Sequence, residues 1–211
     1  MKWRRILITN LAAVYCALPM GGATPTLKVE VVLLDLDETV WQADFKGGGM
    51  PAGDIHQRAM DLANAGRLTA PIRATLEVPE GPKAKWRQGH NLTFDAGWAT
   101  DSTQPNRVLP TKKETRFLGT TISAAWTSDP LSLTLSMLHE TLSAESTQQV
   151  YDTKAVGKER AERSVKMPCF DGVEWTGTLL LKPGEWARAA AILRPGKVAQ
   201  RFVILIRGGG S

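Results

Sequence analysis

Residues 116–142, RFLGTTISAAWTSDPLSLTLSMLHETL, decide the fold class. Thr120, Ile122, Ala124 and Trp126 fall on one face of an extended chain; Leu131, Leu133, Leu135 and Met137 do so further on, with Ser132, Thr134 and Ser136 opposite. Alternation at period two is what a strand with one wet and one dry face requires. A helix would scatter the four apolar residues of the second arm around its circumference. Thr127, Ser128, Asp129 and Pro130 supply the turn, because Asp and Ser bond their own backbone and Pro fixes φ. The stretch predicts a long β-hairpin, so function has to be sought in a sheet-built object.

The same period extends on both sides. Leu68, Ala70, Ile72, Ala74, Leu76 and Val78 alternate with Thr69, Arg73, Thr75 and Glu77. Ala84 and Trp86 mark a short return strand, residues 88–90 (Gln-Gly-His) a turn, and Leu92, Phe94, Ala96 and Trp98 one face of the next strand. Residues 99–113 read as a polar loop, and residues 143–166, polar and mixed in charge, as a solvated excursion. The chain closes with a meander over 173–181, 186–193 and 201–207, turned at Pro183-Gly184 and Pro195-Gly196, since Pro then Gly suits a type II turn.

Before Gly66 the pattern is different. Residues 28–36, KVEVVLLDL, read as a strand; Asp37 is placed to cap a short helical turn running to Phe45, and Gly47 to Gly49 follow as a flexible run. Asp54 is expected to cap the one strong helix, with Ile55, Ala59, Leu62 and Ala63 on a stripe and Gly66 at the C-terminal cap. Residues 1–23 have the form of an export signal: Lys2, Arg4 and Arg5, an apolar stretch to Met20, then Gly21-Gly22-Ala23. The expected organisation is thus a signal peptide at 1–23, a strand-helix segment at 24–66 and a β domain at 67–211.

Export changes the charge balance. Of 26 basic residues against 21 acidic, three lie in the leader, which leaves +2 and no nucleic-acid footprint. Losing Cys16 with the leader leaves Cys169 alone, so the fold has to hold by packing.

Candidate chemistry is sparse. Residues 31–41, VVLLDLDETVW, resemble the first motif of haloacid-dehalogenase-type phosphatases, which implies Asp35 as nucleophile and Asp37 as proton carrier around Mg²⁺. That family also needs a doubly wound sheet, a later Lys and a distal acidic pair; here the sequence after Gly66 is strand upon strand, and no such acidic pair occurs. The favoured reading makes Asp37 a helix cap. His56, His90 and His139 lack metal-ligand spacing, and there is no Gly-x-Ser-x-Gly elbow or phosphate-binding loop. No catalytic, cofactor or metal residue is therefore assigned. Six tryptophans follow the leader (Trp41, Trp86, Trp98, Trp126, Trp175 and Trp186), fitting sheet-core packing, a membrane-interface girdle or a sugar-stacking platform.

The order of segments resembles the C-terminal core of bacterial secretins, the outer-membrane ring proteins of type II and type III secretion and pilus systems. The resemblance rests on LTAPIRATLEVPEGPKAKWRQGHNLTF (68–94), KETRFLGTTISAAWTSDPLSLTLSMLHETLS (113–143), MPCFDGVEWTGTLLLKPGEWARAAAIL (167–193) and RFVILIRG (201–208), with Ala70-Pro71, Gly89, Gly119, Thr178 and Gly184 at matching places. Ala190-Ala191 stands where the family has Gly-Gly, and a tight turn over 194–200 replaces a longer segment. The resemblance implies a mainly β protein with a small α/β N-terminal segment, its antiparallel hairpins and meander forming a secretin-like sheet. It also implies an exported, non-enzymatic component of a secretion or pilus-type system in the periplasm or outer membrane, self-associating or joined to other envelope proteins. The alternatives are a monomeric β-sandwich binding glycan or protein through exposed Trp faces, and the phosphatase using Asp35 and Asp37.

Overall fold

A computed structural model describes residues 24–100, 108–128, 131–151, 162–194 and 199–210. The expected export signal (1–23), the Asp129-Pro130 corner and the Pro195-Gly196 turn lie outside them. The elements run β1 (Thr26–Asp37), α1 (Glu38–Asp44), α2 (Ala52–Asn64), β2 (Ile72–Pro79), β3 (Ala84–Thr100), β4 (Val108–Thr127), β5 (Ser132–Tyr151), β6 (Glu162–Leu180), β7 (Trp186–Arg194) and β8 (Gln200–Gly210). The protein is mainly β with a small helical segment, and every strand pairing within its sheets is antiparallel.

Two four-stranded sheets form, in the orders β2-β1-β8-β7 and β3-β4-β5-β6. The first is the central layer. One face carries Val29, Val31, Leu33, Ile204 and Ile206 against Ile122, Ala124, Leu133, Leu135 and Met137 of the second sheet. The other carries Val32, Leu34, Leu36, Val203 and Leu205 against Trp41, Phe45, Ile55, Ala59 and Leu62 of the helices. Burial on both faces explains why β1 and β8 read as continuous apolar runs, whereas β2 and the hairpin alternate. Trp41 and Phe45, stacked at 5.7 Å, are the largest fully buried side chains of this cluster.

Local signals account for the ends of the elements. The helix over Ala52–Asn64 begins after Pro51, so Asp54 lies in its first turn and does not cap it. Negative charge there still suits the N-terminal end of the helix dipole. At the other end Gly66, φ 68°, donates to the Ala63 carbonyl at 3.0 Å while Arg67 N–H reaches Leu62 at 2.9 Å, a Schellman closure. Asp37 occupies the N-cap position of α1, but its side chain makes no capping bond. Glu38 holds that end instead: Arg201 Nε donates to Oε2 at 2.9 Å and a terminal guanidinium nitrogen to Oε1 at 2.8 Å, tying α1 to β8.

These bonds give a testable pH dependence. Hydrogen bonding from Arg201 first, then from Gln42, holds the Glu38 carboxyl below the usual glutamate value of 4.5. A depressed folded-state pKa adds stability above the unfolded value, and that stability is lost as pH falls through the folded one. Glu38→Gln is therefore expected to lower Tm at pH 6, with the difference from the parent shrinking as the pH is taken progressively below the unfolded value of 4.5, read from thermal melts at falling pH.

Three loop expectations are corrected. Residues 88–90 do not turn: β3 runs unbroken through them, and Gly89 sits opposite Gly119 of β4. Where described, the polar loop expected at 99–113 and the excursion expected at 143–166 are strand, with β3 reaching Thr100, β4 starting at Val108, β5 reaching Tyr151 and β6 starting at Glu162. Few side chains of these outer ladders are buried, Val165 being one, so the apolar alternation that marks the inner strands is weak there.

Candidate functional site

The feature that sets this fold apart is the reach of its second sheet. β4 and β5 pair only from Gly119↔Glu140 to Thr127↔Ser132, while β3–β4 pairing continues to Thr100↔Val108 and β5–β6 pairing to Tyr151↔Glu162. Beyond Gly119 and Glu140 the sheet forks into two hairpins. At about 3.4 Å per residue, the 20-residue β5 spans roughly 65 Å.

Side chains brace the fork. Arg116 pairs with Glu140 at 2.5 Å and lies 4.4 Å over the Phe170 ring, which stands 5.3 Å from Phe94. One cation thus links β4, β5 and β6, while the two rings bring β3 to β6. Gly89 and Gly119 approach so closely that a Cβ on Gly119 would stand 2.2 Å from the Gln88 carbonyl oxygen and 2.6 Å from the Gly89 Cα. Further out, the Trp98 indole N–H is buried without a hydrogen-bond partner among the described residues.

The two faces of the hairpin differ as its alternation requires. Leu133, Leu135 and Met137 are at most 1% exposed, covered by the first sheet. Opposite them a hydroxyl ladder faces outward, with Thr134 to Thr178 at 3.0 Å and Ser136 to Thr176 at 2.9 Å. Leu138 and Leu180, 39% and 74% exposed, are large apolar side chains on that face. β3 and β6 are the edge strands of this sheet.

The acidic pair on β1 has a different setting from the phosphatase pattern. β1 lies between antiparallel β2 and β8, so no doubly wound sheet is present. Asp35 and His139 line one small cleft with Phe202, and Thr120 Oγ1 meets His139 Nδ1 at 2.8 Å. Burial raises the Asp35 pKa, offset in part by Arg194 and then His139; burial lowers that of His139, against the pull of Asp35. Arg194 also pairs with Asp171 at 3.1 Å. These residues cross-link the two sheets beside the fork. Among the described residues no cluster of His, Cys, Asp or Glu is arranged to hold a metal ion. His56 lies on α2, away from this cleft, while His90 on β3 lines a neighbouring hollow that it shares with His139.

The tryptophans do not make an open platform. Trp41 and Trp126 are buried, with Trp126 Nε1 donating to the Val78 carbonyl at 2.6 Å. Trp86 and Trp175 pack on the inter-sheet core and Trp186 beneath α2. The sequence had no signal for the edges, the fork or the glycine pair, because each depends on which strands become neighbours.

Comparison with known proteins rests on shape alone. No protein-family model matches the sequence, and no curated protein does. Among solved structures, the chain is similar to the Salmonella SPI-1 type III secretion injectisome secretin InvG, with a TM-score of 0.50 and 9% identity over 89% of this chain and 65% of that one. The fold is secretin-like. InvG in the atomic model of the basal body proteins InvG, PrgH and PrgK gives the same TM-score and identity, over 89% of this chain and 46% of that one. The type II secretion system secretin GspD of E. coli K12 is 11% identical over 88% of this chain and 50% of that one, with a TM-score of 0.43. The chain therefore spans about half to two-thirds of the secretin chains it resembles. Among the described residues no helix is long and apolar enough to cross a membrane, which says nothing of crossing by strands.

Proposed function

We propose that this protein is an exported, non-enzymatic structural component of an envelope assembly of the secretion or pilus type, in the periplasm or outer membrane, that closes into a ring through its second sheet. One observation supports this most strongly. β3 and β6 are the two edges of that sheet, and three antiparallel steps make them run in opposite directions. A copy added by rotation sets its β3 against the β6 of its neighbour with antiparallel polarity, so cyclic repetition yields one continuous antiparallel sheet. Edges of 17 and 19 residues left unpaired would be open templates for aggregation, and ring closure removes them. The similarity to InvG, an injectisome secretin, agrees with this reading, as does the appearance of InvG in a basal body with PrgH and PrgK. The partners proposed here are further copies of the chain or other envelope proteins.

Size-exclusion chromatography with light scattering, on protein lacking residues 1–23 and with and without detergent, is the test. Assembly to a defined multimer in either condition is the expected result. A monomer in both would remove the ring and leave the closed two-sheet core to be read as a binding module.

A further inference from the structure

The helices cover only part of the first sheet. Past the end of α2 the same face continues as polar side chains, and there a cavity of about 350 Å³ opens, lined by Glu30 on β1, His56 on α2, Arg73 on β2, Trp186 on β7 and Arg207 on β8. A second hollow, sharing Glu30 and Arg207, extends it to Lys28. Five elements converge on the main cavity.

Its charges do not cancel. Arg73 and Arg207 face the single carboxylate of Glu30 in the main cavity, an excess of one positive charge with His56 neutral, while Lys28 of the second hollow lies opposite Glu77 in the β1–β2 register. Arg207 donates to Glu30 at 2.6 Å and lies 4.9 Å from the Trp186 ring centre, while His56 stacks on Trp186 at 4.2 Å, nearly parallel. Glu30 and the indole thus hold Arg207 in place, and part of its five-donor fork remains available. Arg73 has no carboxylate partner among the described residues, and its guanidinium rests against the Met60 thioether, a weak acceptor. Burial first, then Arg73 and Arg207, lowers the His56 pKa, which places both guanidinium charges within electrostatic reach of the imidazole.

We propose that this cavity is a carboxylate-binding site, in which Arg73 and Arg207 clamp the oxyanion. Guanidinium groups match a carboxylate through paired N–H donors, and a partly enclosed cavity with an aromatic wall strengthens such bonds relative to open solvent. The carboxylate comes either from a free polycarboxylic acid or from an acidic peptide segment. This site shares no residue with the β3 and β6 edges, so it holds or fails independently of ring closure.

The test is isothermal titration of the protein lacking residues 1–23 with two probes, end-blocked hexaglutamate and citrate. Saturable binding of hexaglutamate alone identifies a peptide segment as the source, and binding of citrate identifies a small acid. Arg73→Gln is expected to weaken binding at least about tenfold. Glu30→Gln, which removes the competing carboxylate, is expected to tighten it several-fold. Arg87→Gln, a change at a cation lying over Phe117 on the other sheet, should leave it unchanged. All three residues are at least partly exposed, and circular dichroism checks that each variant is folded. The proposal is overturned by the absence of saturable binding of either probe up to about 10 mM, a range reaching far below useful affinity. It is equally overturned by an Arg73→Gln variant that binds like the parent, a Glu30→Gln variant that binds more weakly, or an Arg87→Gln loss as large as that of Arg73→Gln.

Discussion

Gly119→Ala is expected to destabilise the protein by roughly 3 kcal/mol or more, lowering Tm by about 6–12 °C for a domain of this size. The added methyl would meet backbone on two sides, at 2.2 Å from the Gln88 carbonyl and 2.6 Å from the Gly89 Cα, at a φ of 135° that L side chains rarely adopt. Rotamer changes cannot relieve contacts made with main chain, so β3 would have to leave β4 at this point. The control is Gly184→Ala, where φ is 78° but nothing lies within 4 Å of the new atom. That change carries only the left-handed backbone cost of about 1 kcal/mol. Calorimetric melts of the two variants decide it: a Gly119→Ala protein melting within about 2 °C of the parent would mean that the strands do not approach so closely.

The glycine pair also shows what one sequence can and cannot reveal. Gly89 between Gln88 and His90 has the composition of a turn, and turn chemistry is a local property. Its actual role, admitting close backbone approach inside a 17-residue strand, depends on its facing Gly119 thirty residues later. The burial pattern of Ala74, Leu76 and Val78, and that of Leu133, Leu135 and Met137, was legible because a sheet with one covered face writes its geometry into every second residue. Beyond the fork that constraint weakens. Residues 164–169 carry Val165, Met167 and Cys169 on alternate positions, too few to outweigh the polar neighbours, so pairing from Ala144↔Cys169 outward leaves little mark in composition.

The candidate sites divide in the same way. Asp35 and Asp37 drew attention through a short local pattern, and the antiparallel neighbours of β1 place Asp35 instead in an inter-sheet cluster with His139. The carboxylate cavity had no sequence signature, since Glu30, His56, Arg73, Trp186 and Arg207 come together only once α2 is laid across β1 and β8. The fold class was readable from period two alone. The surfaces on which function depends needed the strand order.

Leu135→Ala is expected to cost between about 2 and 5 kcal/mol, the range for deleting a fully buried leucine where the surroundings relax only partly. Leu135 is 0% exposed, faces Ala124 on one neighbour and Gly177 on the other, and belongs to the core shared with Val31 and Ile204 of the first sheet. Thr134→Val, one residue along on the outward hydroxyl ladder, should stay within about 0.5 kcal/mol, as exposed substitutions do. Urea titrations of both variants in detergent-free buffer separate two accounts of the hairpin. Were the leucine face turned to lipid, Leu135→Ala would leave stability in water unchanged or improved, because an apolar side chain would be withdrawn from solvent. A large loss places that face inside the protein, and with it the limit on any membrane contact. The parts of β3–β6 beyond Gly119 and Glu140, and the outward face with Leu138 and Leu180, would then be the surfaces of this sheet free to meet a bilayer, and the former carry Trp98, Phe94 and Phe170 together with the braced Arg116. If assembly requires detergent, that requirement should accordingly survive Leu135→Ala wherever the protein still folds.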